Sequence, residues 1–219
     1  MSVYSIHQFA EKVALVTDID GPVGRAVSMQ LALQGGFIIG GVPGGKESSA
    51  GSGLADDLRE LGTLASSVNY ERSSNAGADA LARTVRETFG RLDLLINCVR
   101  SEPESAFLIQ DAVQELMADR PSPRIVDVFE LGSGYENVSG RIGHLREDTA
   151  RRQKLLPHKY RSNGVAIVGE VFKPAEDDAL FRAKGTIEPD DVARVILFLL
   201  SSEAKAVRGQ LIVIGHPPA

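Results

Sequence analysis

A chain of 219 residues, 43% hydrophobic and 24% charged, is long enough for one α/β domain with a sizeable core. Its net charge of −5 removes any general attraction to nucleic acid or an anionic membrane, and its lone cysteine, Cys98, excludes an internal disulfide and fits a reducing compartment. No apolar run reaches spanning length and the N-terminal MSVYSIHQFAEK has no signal-like apolar block, so the expectation is a single cytoplasmic domain over residues 1–219.

The stretch Lys12 to Gly36 sets the pattern. Val13 to Thr17 reads as a buried strand, Asp18-Ile19-Asp20-Gly21-Pro22 as a turn, and the segment with Val23, Ala26, Val27 and Leu31 on one face as a helix ended by Gly35-Gly36. Phe37 to Val42 is a second strand, and the following PGGKESSAGSG reads as a loop. A helix over 54–62, a strand over Thr63–Asn69, a helix over 76–90 and a strand over Leu92–Cys98 come next. A helix over 104–119 stops before Pro121, and Arg124–Leu131 is the fifth strand. The spacing then predicts a loop at GSGYENVSG, a helix over 141–161 and a strand over Gly164–Val171. EPDD opens a last helix, with Pro189 at its start and Val192, Val195, Ile196, Leu199 and Leu200 on one face; Gln210–Gly215 is the seventh strand. Strands alternating with helices predict a doubly wound parallel sheet, Rossmann-like, with helices on both faces in three layers.

FAEKVALVTDIDGPVGRAV, FGRLDLLINC, PSPRIVDV and GTIEPDDVARVILFLLSSEAKAVRGQLIVIG together resemble the short-chain dehydrogenase/reductase family almost end to end. The resemblance implies NAD or NADP held at the first strand–turn–helix and an alcohol or carbonyl oxidoreduction. Function still has to be argued from the site.

At the site the pattern departs from the family. The family's turn reads TGxxxGxG, whereas here it reads TDIDGPVG: Thr17 and Gly24 are kept, but Asp18 and Pro22 replace two glycines. Pro22 removes one N–H from the helix start, and Asp20 is placed to cap that helix with its carboxylate. A carboxylate ~4 Å from a phosphate charge costs about 4 kcal/mol at an effective dielectric of 20, against roughly 0.3–1 kcal/mol returned by the helix terminus. The degenerate cofactor positions are Asp18, Asp20, Gly21, Val23 and Gly24, with Asn69 where the family commonly has an aspartate beside the adenine and Asn97 opening NCVR in place of NNAG. FIIGGV ends without an acid for a ribose diol and without a nearby arginine for a ribose phosphate.

The resemblance places a serine, a tyrosine, a lysine and an asparagine in the chemistry. Here Glu130 (or Phe129) falls at the serine's place, Gly143 (or Ile142) at the tyrosine's, and Glu147 (or Arg146) at the lysine's. The asparagine's helix start is missing from a short Asn97–Arg124 stretch. Tyr135 and His144 are weak substitutes: Tyr135 has Ser139 four residues later, and His144 with Asp148 reads as a solvated pair one turn apart. Gly40–Glu47 nearly spells a P-loop, but Glu47 replaces the hydroxyl that would hold magnesium, and a loop is the better reading. Cys98, after a buried run, reads as a core thiol. No metal site is expected.

Arg141, Arg146, Arg151, Arg152, Lys154, Lys159 and Arg161 crowd the predicted helix 141–161. The plain reading is a solvated face. In the family this helix and 104–119 form a subunit interface, and a cationic helix facing its own copy repels itself. The sequence therefore predicts a non-catalytic subunit with no tightly bound cofactor, supporting an active relative in a hetero-oligomer through these two helices. The alternatives are an active NAD(P)-dependent oxidoreductase with a rearranged site, or a solitary nucleotide-binding regulatory module.

Overall fold

The computed structural model describes residues 8–44, 49–99, 103–131, 137–171 and 186–215. Seven strands, β1 (Val13–Thr17), β2 (Phe37–Pro43), β3 (Ala65–Tyr70), β4 (Leu94–Val99), β5 (Arg124–Leu131), β6 (Arg161–Val168) and β7 (Leu211–Gly215), form one sheet in the order β3-β2-β1-β4-β5-β6-β7. Every pairing is parallel, as strands joined through crossover helices require. The doubly wound architecture read from the alternation is the one observed.

Among the described residues six helices cover the sheet: α1 (Pro22–Leu33), α2 (Ser49–Glu60), α3 (Asn75–Phe89), α4 (Pro103–Ala118), α5 (Val138–Leu155) and α6 (Pro189–Leu200). One apolar layer joins Val23, Val27 and Leu31 of α1, Leu54 and Leu58 of α2, and Val192 and Ile196 of α6 to the inner strands. The opposite layer joins Leu81 and Val85 of α3 and Val113 and Met117 of α4 to Leu15, Leu95 and Ile125. β1, β4 and β6 are buried along their whole length, and β1 and β4 accordingly read as largely apolar runs rather than as alternation. Among the described residues no helix is long and apolar enough to cross a membrane.

Several boundaries differ from the sequence reading. The tract predicted as loop before residue 54 is helical from Ser49, because Ser, Ala and Gly signal turns weakly once a helix has Leu54 and Leu58 to bury. The helix predicted over 141–161 runs instead from Val138 to Leu155, and β6 begins at Arg161, three residues before the expected start. Asn137 caps α5 through its side chain, accepting from the Gly140 N–H at 3.1 Å, and Pro157 lies just past its end.

The cationic run is divided by this boundary. Arg146, Arg151, Lys154 and Lys159 are exposed, but Arg152 and Arg161 are buried and add no charge to an outer helical face. Arg152 Nη1 donates to Asp127 Oδ2 at 2.7 Å, both residues being at most 2% exposed, and its guanidinium lies 3.4 Å over the Phe107 ring of α4. The other Asp127 oxygen accepts from Asn97 Nδ2 at 2.8 Å. A charge removed from water this completely persists only with a partner of opposite sign.

Two predictions follow from these buried polar groups. Asp127→Asn removes the carboxylate that faces Arg152 in the core and costs about 3–5 kcal/mol of stability, read from the denaturant midpoint; a loss under about 1 kcal/mol would deny the pair its role. Tyr70, 6% exposed, sits under β2 where a Cβ on Gly41 would lie 3.0 Å from its ring. Burial pushes its phenol from 10.0 up to about 12, against the pull of Arg72. The folded state thus favours the neutral phenol, so this contribution is intact below pH 10 and is lost as pH rises toward 12. Urea midpoints at pH 9 and pH 11 should show Tyr70→Phe retaining about 1 kcal/mol more of its pH 9 stability than the parent does.

Candidate functional site

β2 and β3 lie to one side of β1, and β4 to β7 to the other. The chain leaves β1 for α1 on one face and β4 for α4 on the other, as the two apolar layers show, which opens a crevice above the C-terminal ends of β1 and β4. Open α/β sheets bind ligands at such a reversal.

The turn after β1 is tightly held. The Thr17 hydroxyl accepts the Cys98 N–H at 2.8 Å, tying β1 to β4. The Ile19 N–H donates to the Gly41 carbonyl at 3.0 Å, tying the turn to β2, and the Gly21 N–H donates to the Asp18 carbonyl at 2.9 Å. Ile19 is fully buried and presses on Gly40, where a Cβ would meet its Cδ1 at 2.3 Å. These glycines are therefore packing positions inside β2, consistent with the rejection of the near P-loop motif; residues 45–48 of that motif lie outside the described residues.

A Cβ on Gly24 would stand 2.3 Å from the Asp18 carbonyl oxygen, so only glycine lets α1 approach the turn this closely. Gly21 is the helix N-cap and Pro22 its first residue, with no side-chain cap. The expectation that Asp20 caps the helix is thus corrected: the extended cap residue falls one position later, at Gly21. The N–H groups of Val23 and Gly24 belong to the first turn, which has no intrahelical acceptor for them, and they remain available for an anion. The Val23 side chain itself is buried in the core.

Asp18 adopts a left-handed backbone, φ 52, the conformation that a glycine here would take without strain and that aspartate tolerates better than most residues. Its carboxylate is buried and ion-paired to Arg72, Nη2 to Oδ1 at 3.0 Å. The sequence expectation of a bare carboxylate at the phosphate position is therefore corrected: the charge is compensated from the loop after β3. Arg72 follows β3, the strand paired with β2, and reaches Asp18 from there. Neither Arg72 nor Tyr70 was identified by sequence reasoning, because nothing local links them to Asp18; the strand order brings them together. Asn69 is exposed near the end of β3, opposite Val42.

The remaining candidates do not converge. Asn97 is fully buried with its amide committed to Asp127, beneath the crevice rather than lining it. Cys98 is buried in β4. Glu130 is half-buried near the end of β5, and Phe129 beside it is core. On α5, a Cβ at Gly143 would meet nothing within 4 Å, so the tyrosine's place has room and no side chain. Glu147 and His144 are exposed, and Asp148 pairs with Arg151 at 2.7 Å rather than with His144. Tyr135 lies outside the described residues. Among the described residues no group of His, Cys, Asp and Glu is arranged to hold a metal.

No family model matches the chain. It is 25% identical to the L-rhamnose 1-dehydrogenase (NAD(P)(+)) of Azotobacter vinelandii over 93% of this chain and 95% of that protein. It is 24% identical to the 3-oxoacyl-[acyl-carrier-protein] reductase FabG of Thermotoga maritima, over 93% and 96% respectively. Among solved structures it is similar to a hydroxysteroid dehydrogenase from Escherichia coli, with a TM-score of 0.79, 18% identity, and 96% and 98% of the two chains covered. A blue fluorescent protein from a metagenomic library, in complex with NADPH, superimposes with a TM-score of 0.79 at 18% identity, over 94% and 97%. The chain is thus similar along nearly its whole length to these dehydrogenases and reductases, and the solved structures share its fold, the one that the short-chain dehydrogenase/reductase resemblance implies.

Proposed function

We propose that the protein is an NAD(P)-linked oxidoreductase of the short-chain type with a rearranged site. The observation that carries this reading is the Asp18–Arg72 ion pair. It removes most of the repulsion that an uncompensated carboxylate would exert on a pyrophosphate, while the turn keeps a glycine-like backbone and Gly24 keeps α1 close. Similarity over 93% of the chain to a protein named as an NAD(P)-dependent dehydrogenase points the same way.

In this reading the N–H groups of Val23 and Gly24 hold the pyrophosphate, and Arg72 and Asn69 lie toward the adenosine end. The nicotinamide supplies hydride acceptance or donation when bound. Proton handling falls to Tyr135 or His144, because Gly143 and Glu147 supply neither a phenol nor an ammonium.

One observation favours a second reading, a non-catalytic subunit supporting an active relative. The tyrosine and lysine places on α5 hold a glycine and an exposed glutamate, and Arg146, Arg151 and Lys154 leave that helix a cationic outer face for an acidic partner.

Titration with NADH and NADPH, followed by turnover of a carbonyl panel, separates the two. The first reading expects saturable binding and turnover, reduced at least tenfold in Tyr135→Phe or in His144→Ala; binding with no turnover of any carbonyl leaves the second. The ion pair gives a sharper check on the cradle. Arg72→Gln uncovers the Asp18 charge and should weaken NADPH binding about tenfold, and Asp18→Gly in the same chain should restore it. Equal affinities in all three proteins would sink the electrostatic account.

A further inference from the structure

The opposite edge of the sheet, at the N-terminal ends of the strands, carries arginines that no acid among the described residues answers. Arg124 is the first residue of β5 and Arg161 the first of β6, and the two stand opposite one another in the parallel register. Neighbouring strands lie about 4.8 Å apart, so their side chains leave the sheet side by side. Val126 and Val128, and Val165 and Ile167, share their parity and belong to the layer beneath α1 and α6, which fixes the face onto which both arginines project. Arg208, three residues before the Leu211 that pairs with Gly164, continues the row onto the approach to β7.

Arg161 is 3% exposed. One of its N–H groups is accounted for, Nη2 donating at 3.1 Å to the Ser201 carbonyl just past the end of α6. That contact is the ordinary reason for a cation here, since a helix C-terminus carries partial negative charge. It leaves the rest of the fork unexplained. Nε and Nη1 of Arg161, and Nε of Arg124, are buried and meet no hydrogen-bond partner among the described residues. No carboxylate among the described residues pairs with Arg124, Arg161 or Arg208. Asp93, a buried acid at the same edge, is engaged by Lys12, Arg91 and Arg120.

Adjacent guanidinium groups with buried, unanswered N–H donors are costly unless an anion lies between them. Burial and the neighbouring Arg161 together push the Arg124 guanidinium down to about 10, and burial followed by Arg208 lowers Arg161, so the strain of like charge is felt at both. The planar fork of arginine matches two oxygens of a tetrahedral oxyanion, and two such forks side by side suit a dianion better than a lone carboxylate. We propose that Arg124 and Arg161 form a binding site for a phosphate-class dianion at the N-terminal edge of β5 and β6, separate from the dinucleotide crevice at the other edge. The proposal does not depend on the nucleotide reading.

The test is thermal unfolding and calorimetric titration of the full chain with sodium phosphate, against sodium chloride at matched ionic strength. Phosphate should raise Tm saturably, by roughly 5 °C at saturation, and chloride should not. Glycerol 2-phosphate, run in parallel, distinguishes the two sources of the ligand: tighter binding than phosphate indicates a phosphorylated metabolite, and equal or weaker binding indicates free phosphate. Arg124→Gln, at a half-buried strand end, should abolish the saturable response, and Arg161→Met should do the same with side-chain volume largely kept. Arg72→Gln, which touches the other edge, should leave the response intact. A response that persists in Arg124→Gln, or that disappears in Arg72→Gln alone, overturns the site, as does a shift linear in phosphate with no plateau. Should Arg161→Met fail to fold, the Arg124→Gln titration decides by itself.

Discussion

The site depends on one close approach: the Asp18 carbonyl oxygen occupies the space that a Cβ on residue 24 would need, 2.3 Å away. With any other residue at position 24, α1 would be displaced from the turn and its first N–H groups would be withdrawn from the crevice. The contact also explains why the turn accepts an aspartate where a glycine is the easier choice. The Ile19 and Gly21 N–H bonds and the buried Ile19 side chain over-determine the backbone, so the left-handed φ at Asp18 is imposed by its neighbours.

Buried charge is organised by a single rule across the molecule. Asp18 is answered by Arg72, Asp127 by Arg152 and Asn97, and Asp93 by Lys12, Arg91, Arg120 and the Val13 N–H. Each acid lies at or near a strand, and most of its partners come from other elements, so these contacts fix the position of neighbouring elements as well as satisfying desolvated groups. Arg124 and Arg161 break the rule, which is why that edge of the sheet calls for an external anion.

The two ends of the sheet thus differ in kind. At the C-terminal ends of the strands, the buried Asp18 is paired with Arg72. At the N-terminal ends, cation is left over. An acidic protein with a net charge of −5 therefore carries a concentrated positive locus at one edge, which bulk charge alone conceals.

Strand and helix identities were legible because the buried parallel strands read as continuous apolar runs and the glycine-bearing turn follows the first of them. Those signals are local, and they led to the doubly wound sheet and to the family resemblance. The errors came where local chemistry pointed the wrong way. The basic tract to Arg161 looked like one solvated helix, yet Arg152 is drawn into the core by Asp127 of β5, and Arg161 starts a strand. Asp18 looked like an uncompensated charge, yet Arg72 meets it from the segment after β3. The sequence by itself determined which segments fold and in which order. Only the tertiary structure decided which charges are neutralised, because ion pairs form between neighbouring strands and helices and leave no periodic trace along the chain.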